Sequence, residues 1–236
     1  MIIKAISYNI FHCADYYDNE TINYDAFAKV IKSLDADVIA LNEVHGEGDD
    51  PEYDEQAKIL GEKTGYNYYF AKATDIDGNN PFGNAVLTIL PVKSFETIPI
   101  PDPEPQSYDG YYETRCVLKM VTDTQPQVTF FISHFGLNPD EQENAVKTVL
   151  ENITDGYCVL MGDLNMRPDN KILAPIQKAL NDTVSCADGE ILSFPADKPD
   201  RKIDYIFTGE DIKVKSFRVL DIILSDHRPV EAVLEV

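Results

Sequence analysis

The run Val128-Thr129-Phe130-Phe131-Ile132-Ser133, which stops at His134, closes a stretch over 66–131 in which β-rich segments follow one another with no helical pattern between them. Its β-branched and aromatic side chains suit a pleated, half-buried surface. Asp77-Gly78, Pro81, Pro91 and Asp109-Gly110 cut the stretch into strands and turns. A doubly wound parallel sheet needs a long crossover, usually a helix, between successive strands. The middle third therefore reads as a meander, and the expected pairing is mainly antiparallel.

On the N-terminal side, Ile2-Ile3-Lys4-Ala5-Ile6-Ser7-Tyr8 runs into Asn9, and Asp37-Val38-Ile39-Ala40-Leu41-Asn42 runs into Glu43. Between them Phe27, Val30, Ile31 and Leu34 make the i, i+3, i+4, i+7 stripe of an amphipathic helix over 23–35. A second helix is expected to end near Thr64-Gly65. On the C-terminal side, Asn138 reads as a helix N-cap, with Pro139 at the first helical position and Glu141 at the third. Ala145, Val146, Val149 and Leu150 then share one face. That helix feeds Tyr157-Cys158-Val159-Leu160-Met161-Gly162, which stops at Asp163. A short helix over 171–180 and strands near 203–207, 212–219 and 229–236 complete the chain. The two halves have similar shape, which predicts an α/β (α+β) fold with two packed, mainly antiparallel sheets flanked by helices, a four-layer sandwich. One domain over 1–236 is expected.

Hydrophobic residues make up 44% of the chain, enough for a sizeable core. No apolar run reaches about eighteen residues, so no membrane-spanning segment is expected. The first strand begins at Ile2 without a basic leader, which makes a cytoplasmic protein the default expectation. Cys13, Cys116, Cys158 and Cys186 lack the spacing of a zinc site. The 20 basic and 41 acidic residues leave a net charge of −21. Such a surface repels long polyanions, because non-specific nucleic-acid affinity comes from Lys and Arg against phosphates.

The apolar runs share one property: each stops at, or beside, a residue that can hold a metal or a phosphate. In chain order the segments are Tyr8-Asn9-Ile10, Leu41-Asn42-Glu43-Val44, Gly83-Asn84-Ala85, Ser133-His134, Gly162-Asp163-Leu164-Asn165, Ile203-Asp204-Tyr205-Ile206 and Ser225-Asp226-His227-Arg228-Pro229. Taken singly each is a plausible turn or cap. The ordered set resembles the endonuclease/exonuclease/phosphatase superfamily, which includes pancreatic-type deoxyribonucleases, abasic-site endonucleases and neutral sphingomyelinases. The resemblance spans nearly the whole chain and implies a DNase-I-like fold and a divalent-metal-dependent phosphoester hydrolase. The segment from Ser193-Phe194-Pro195 to Phe207 looks like a small bacterial branch of metal-dependent hydrolases.

The resemblance assigns Glu43, Asn9 and Asp226 to a Mg²⁺ or Mn²⁺ ion, which hard oxygen donors suit. It assigns catalysis to Asp163, Asn165, His134, His227 and Asp204. Asp163 would orient or deprotonate the attacking water, and Asn165 would hold the phosphate or that carboxylate. Asp204 would pair with His227, and His134 would donate to the phosphate; the identity of the base stays open. Arg115, Arg201 and Asn84 are expected at the substrate phosphate. Of the five arginines, Arg115, Arg167, Arg201 and Arg228 lie in or beside these segments, which suggests a mouth for a compact phosphate. Two departures matter: Phe11 stands where abasic-site enzymes commonly carry an acid, which weakens a DNA-repair reading, and Phe11-His12-Cys13 replaces the His-His-Gly stretch of related small hydrolases, so His12 reads as a partly buried structural histidine. The expected partner is thus a small phosphorylated molecule or lipid head group, with a DNA or RNA nuclease as the alternative and a monomer as the expected state. Tyr108, Tyr111 and Tyr112 read as edge-strand tyrosines on a hairpin, with an aromatic wall as the second reading. Asp75-Ile76-Asp77-Gly78-Asn79 reads as a turn.

Overall fold

The computed structural model describes all of residues 1–236 except Asn19, Glu52 and Asp155. The first sheet contains β1 (Ile2–Asn9), β2 (Val38–His45), β3 (Asn67–Ile76), β4 (Asn80–Thr88), β11 (Lys213–Val219) and β12 (Val230–Glu235), in the order β11-β12-β1-β2-β4-β3. The second contains β5 (Val92–Pro99), β6 (Cys116–Thr122), β7 (Thr129–Ser133), β8 (Cys158–Asp163), β9 (Asn181–Asp182) and β10 (Asp204–Thr208), in the order β5-β6-β7-β8-β10-β9. Helices α1 (Tyr24–Leu34) and α2 (Gln56–Thr64) cover the first sheet, and α3 (Pro139–Asn152) and α4 (Ala174–Ala179) cover the second. This is the four-layer sandwich. Each sheet has one parallel pair, β1 with β2 and β7 with β8, and the crossovers run through α1 and α3.

Strand alternation explains the layering. On β1, Ile3 and Ala5 enter the core between the sheets, while Ile6 and Tyr8 pack outward with Phe27 and Ile31 of α1. On β8, Val159 and Met161 face inward and Leu160 packs outward with Val149 of α3. The same split separates Phe130 and Ile132 from Phe131 on β7, and Ile206 from Tyr205 and Phe207 on β10. Continuing each inward row by two residues gives Asn9 after Ser7, Asn42 after Ala40, His134 after Ile132, Asp163 after Met161 and, running backward on β10, Asp204 before Ile206. The polar ends of the inward rows therefore meet at one rim of the core. Burying each large apolar side chain contributes about 1.5–3 kcal/mol. A net hydrogen bond contributes about 1 kcal/mol, so the rows hold the sheets together and the rim groups orient chemistry.

The 66–131 stretch departs from a single meander. The β3–β4 hairpin belongs to the first sheet and the β5–β6–β7 meander to the second, with Leu90 and Pro91 at the crossing. Local strand signals do not name the partner strand. Residues 100–115 form no hairpin, so the tyrosines there are loop residues. Pro101, Pro103 and Pro105 lack ladder donors, and the segment is tied to the start of α3 instead. Asp140 accepts from Ser107 N and from Tyr112 OH, and Asn138 Nδ2 donates to Tyr111 O at 2.8 Å.

Candidate active site

Glu43 reaches the rim by a local irregularity. Alternation after Asn42 would send it outward, but the β2–β4 register shifts between Leu41 and Val44, and Glu43 takes φ 55°. A bulge of this kind re-aims a side chain. At the end of β8, Gly162 has φ 146°, and a Cβ there would lie 1.8 Å from Ser133 O. Only glycine lets β7 and β8 approach so closely, bringing Ser133-His134 beside Asp163.

Asp163 is almost fully buried, and its two oxygens are held differently. Oδ1 accepts from Asn165 N at 2.9 Å. Around Oδ2 lie Asn9 Nδ2 at 3.3 Å, His227 Nε2 at 3.5 Å and His134 Nε2 at 3.6 Å. Charge-assisted bonds run at about 2.7–2.9 Å, so these nitrogens surround the carboxylate with donor capacity left over. His227 Nδ1 lies 2.8 Å from Asp204 Oδ2, which also accepts from Ser193 Oγ at 2.5 Å. Burial alone would lower the His227 pKa, but the Asp204 and Asp163 carboxylates outweigh it and raise it to about 10. Burial, with Asp204 adding to it, pushes Asp163 up to about 7.

The sequence-predicted residues divide into three groups. Glu43, Asp163, Asn165, His134, Asp226, His227, Arg115 and Arg201 line one cavity of about 350 Å³, with Asp204 directly behind His227. Asn9 and Asn84 are buried behind the residues that line the cavity. Asn9 turns its NH₂ to Glu43 Oε1 at 2.8 Å and to Asp163, while its carbonyl oxygen, the atom a hard cation would need, accepts from Phe11 N. It orients the acids. Asn84 is buried away from the cavity, accepting from Asn42 Nδ2 at 2.7 Å and donating to Cys116 O at 3.1 Å. It supports Asn42, whose Oδ1 accepts from Asp163 N at 2.9 Å. Arg167 and Arg228 lie outside the cavity lining, paired with Asp200 and Asp221, so two of the five arginines line it, Arg115 and Arg201, the latter also paired with Asp200 at 2.9 Å.

The donor set fits a hard divalent cation at Glu43 and Asp226. Burial raises the Glu43 carboxyl above its ordinary range, the Asn9 bond pulls it down, and the Asp226 charge raises it again. A buried acid whose ionisation a neighbouring carboxylate opposes is what a cation relieves. Asp163, Asp204 and His227 also bring ligand atoms within 4.8 Å of one another. There, however, the short Asp204–His227 bond already joins two of the three.

Sequence reasoning missed Asn42, Ser193, Ser225 and Glu113. Ser225 Oγ ties the Asp226-His227 turn to Asn9 O at 2.8 Å. Asn42 was recoverable from strand alternation, being two residues beyond inward-facing Ala40. Ser193 and Ser225 carry no such signal. His12 lies outside the cavity lining and stacks on His45, with ring centroids 4.8 Å apart. Phe82, Tyr111, Leu137 and Phe194 form an apolar collar around the polar floor.

The profile of the Endonuclease/Exonuclease/phosphatase family matches residues 6–227. No curated protein matches the sequence. Among solved structures, an endonuclease/exonuclease/phosphatase from Beutenbergia cavernae is 22% identical with a TM-score of 0.82, over 100% of this chain and 72% of that one. A family protein from Leptotrichia buccalis is 22% identical with a TM-score of 0.80, over 99% of this chain and 100% of that one. A mannosyl-6-phosphatase from Bacteroides thetaiotaomicron is 18% identical with a TM-score of 0.77, over 99% of this chain and 100% of that one.

Proposed function

Because the chain belongs to the endonuclease/exonuclease/phosphatase family of phosphoester hydrolases and has its DNase-I-like fold, we propose that it hydrolyses the phosphoester of a small molecule or lipid head group with Mg²⁺ or Mn²⁺. The observation that carries this reading is the ring of Asn9, His134 and His227 nitrogens around Asp163 Oδ2, beside the Glu43–Asp226 pair. An ion held by Glu43 and Asp226 would supply positive charge against the phosphate oxygens. Asp163, raised toward neutrality, takes a proton from the attacking water. Asn9 and Asn165 N fix its carboxylate at the angle for that transfer. His227, charged and backed by Asp204, offers its Nε2 proton to a phosphoryl or leaving oxygen. His134 and Asn165 donate to the phosphate from the other wall.

A compact substrate is favoured over a duplex. The cavity is about 350 Å³, its mouth carries Arg115 and Arg201, and the molecule around it has a charge of −21. That a mannosyl-6-phosphatase shares the fold is compatible with a small phosphate ester. The test is a metal-supplemented screen of bis-p-nitrophenyl phosphate, p-nitrophenyl phosphate, sugar phosphates, lysophospholipids, nucleotides and plasmid DNA. Turnover of a small ester that chelation abolishes and Mg²⁺ or Mn²⁺ restores is expected; preferential cleavage of plasmid would establish the nuclease reading instead.

A further inference from the structure

The cavity holds two histidines whose Nδ1 atoms face opposite charges. His227 Nδ1 meets the Asp204 carboxylate, while His134 Nδ1 lies 2.8 Å from Arg115 Nη1. We propose that Arg115 is a positioning residue which fixes His134 as the neutral imidazole protonated on Nε2, so that His134 and Asn165 aim two N–H groups at one phosphoryl oxygen. The proposal rests on the phosphoester-hydrolase reading, and it gives Arg115 a different task from the direct phosphate contact expected from sequence.

A guanidinium has five N–H donors and no acceptor, so a contact of 2.8 Å requires His134 Nδ1 to accept. The ring's single proton then belongs on Nε2, which faces Asn165 and Asp163. The opposite tautomer would set Nδ1–H head-on against a cationic N–H. A charge-assisted bond is about twice as strong as a neutral one, so the Arg115 contact outranks the competing bond from the Asn165 amide to Nε2. Asn165 Nδ2 is also 3.0 Å from Phe135 O, which takes one of its hydrogens. The other stands beside His134 Nε2–H, with the two nitrogens 3.0 Å apart. Two adjacent donors are best satisfied by one shared acceptor of high charge density, and a phosphoryl oxygen is such an acceptor.

Arg115 is itself locked. It is 9% exposed and forms an ion pair with Glu113 at 2.7 Å, and Glu113 N donates to Glu141 Oε1 on α3 at 3.1 Å. The charged or titratable groups facing His134 are Arg115 and Glu113 from the segment before β6, Asp163 from β8 and His227 from the loop before β12. Burial holds the His134 pKa well below its ordinary value, with Arg115 and then His227 adding to it. The site thus keeps one imidazolium and one neutral imidazole at the same pH.

Imidazole ¹H–¹⁵N spectra of the protein labelled with ¹⁵N-histidine, without substrate at pH 7, test this directly, with the His134 signals assigned from His134→Gln. A protonated Nε2 and a bare Nδ1 are expected. A ring protonated on Nδ1, or a charged His134, would overturn the proposal. The double variant Arg115→Met/Glu113→Gln removes both charges and leaves no buried unpaired carboxylate. It should mix the tautomers and reduce kcat about tenfold or more, whereas Arg115→Lys, which keeps a cationic donor, should retain the Nε2–H form. A double variant that still shows the pure Nε2–H form would also overturn the proposal. Because the spectra need no substrate, a wrong tautomer in an active enzyme removes the Arg115 role alone. The correct tautomer in a protein inactive on every phosphoester removes the hydrolase reading alone.

Discussion

Asp163 and His227 hold their protons more tightly than the same groups do in water, and both the chemistry and the stability follow from that. Asp163→Asn and His227→Ala should each lower turnover of the best substrate by about 10² or more, the first with little change in thermal stability and the second with a lower Tm, because it leaves the buried Asp204 carboxylate without its partner. Near wild-type rates for either variant would remove that residue from the mechanism. Glu43→Gln should leave the fold intact and raise the metal concentration needed for half-maximal activity, as read from a Mg²⁺ or Mn²⁺ titration. The pH dependence has a definite sign. The folded-state pKa of His227, about 10, lies above its ordinary 6.5, so its stabilisation is complete below about 6.5 and disappears as pH rises toward 10. Asp163 acts in the same direction at lower pH, since the folded state keeps its proton to about 7 against an ordinary 3.8. The Tm of metal-stripped protein should accordingly fall between about pH 6.5 and 10, and Asp204→Asn should flatten the fall. A Tm that rises over that window would contradict the charge assignment.

The ends of strands and the start of α3 decide where these groups stand. Asn42 joins β2 of one sheet to Asp163 N of the other, so Asn42→Ala should destabilise the protein by about 1–3 kcal/mol, because a buried N–H loses its acceptor. Denaturant melts would measure it, and turnover should drop as the Asp163 backbone shifts. Asn138→Ala cuts one of the bonds that hold the Tyr111 segment to α3, and the helix cap with it, and should cost about 1–2 kcal/mol. If that segment grips substrate, KM should rise more than kcat falls; an unchanged KM would show that it does not. Strands and helices such as Ile2–Asn9, Tyr24–Leu34 and Pro139–Asn152 were legible because alternation and the 3.6-residue stripe are local properties. The order of sheet partners was not, since β4 and β5 carry the same kind of signal yet join different sheets. Nor was the bulge that turns Glu43 inward, which is set by pairing with β4. The resemblance placed Asp163, His134 and His227 in one constellation. It did not give the hydrogen-bond partners of Asn9 and Asn84, because the direction of an amide is fixed by neighbours distant in sequence.

Across the whole molecule, charge separates the two kinds of substrate. A protein that tracks a duplex loses affinity with log salt at a slope of about −0.9 per phosphate contact, and a surface of −21 has little with which to make such contacts. Hydrolysis of a small ester should change less than about tenfold between low and physiological salt. Arg201→Ala should reduce kcat/KM more than any single Lys→Ala outside the motif segments. Steeply salt-dependent DNA binding with efficient nicking would reverse this assignment. Among the described residues no helix is long and apolar enough to cross a membrane. The central place of β1 has a consequence for how the molecule comes into being. Ile2 pairs with Glu235 and Ser7 with Val230, so β1 cannot complete its pairing until β12, the last strand of the sandwich in chain order, has been made. At about 5–20 residues per second, ribosomal synthesis leaves β1 without β12 for on the order of tens of seconds. Closing so large a loop also delays folding. Asn9 is carried on that waiting strand, and Asp226 and His227 immediately precede the one it awaits. The nascent chain therefore has no assembled site until β12 has emerged, and in refolding experiments activity should return only with the final phase of β-sheet signal.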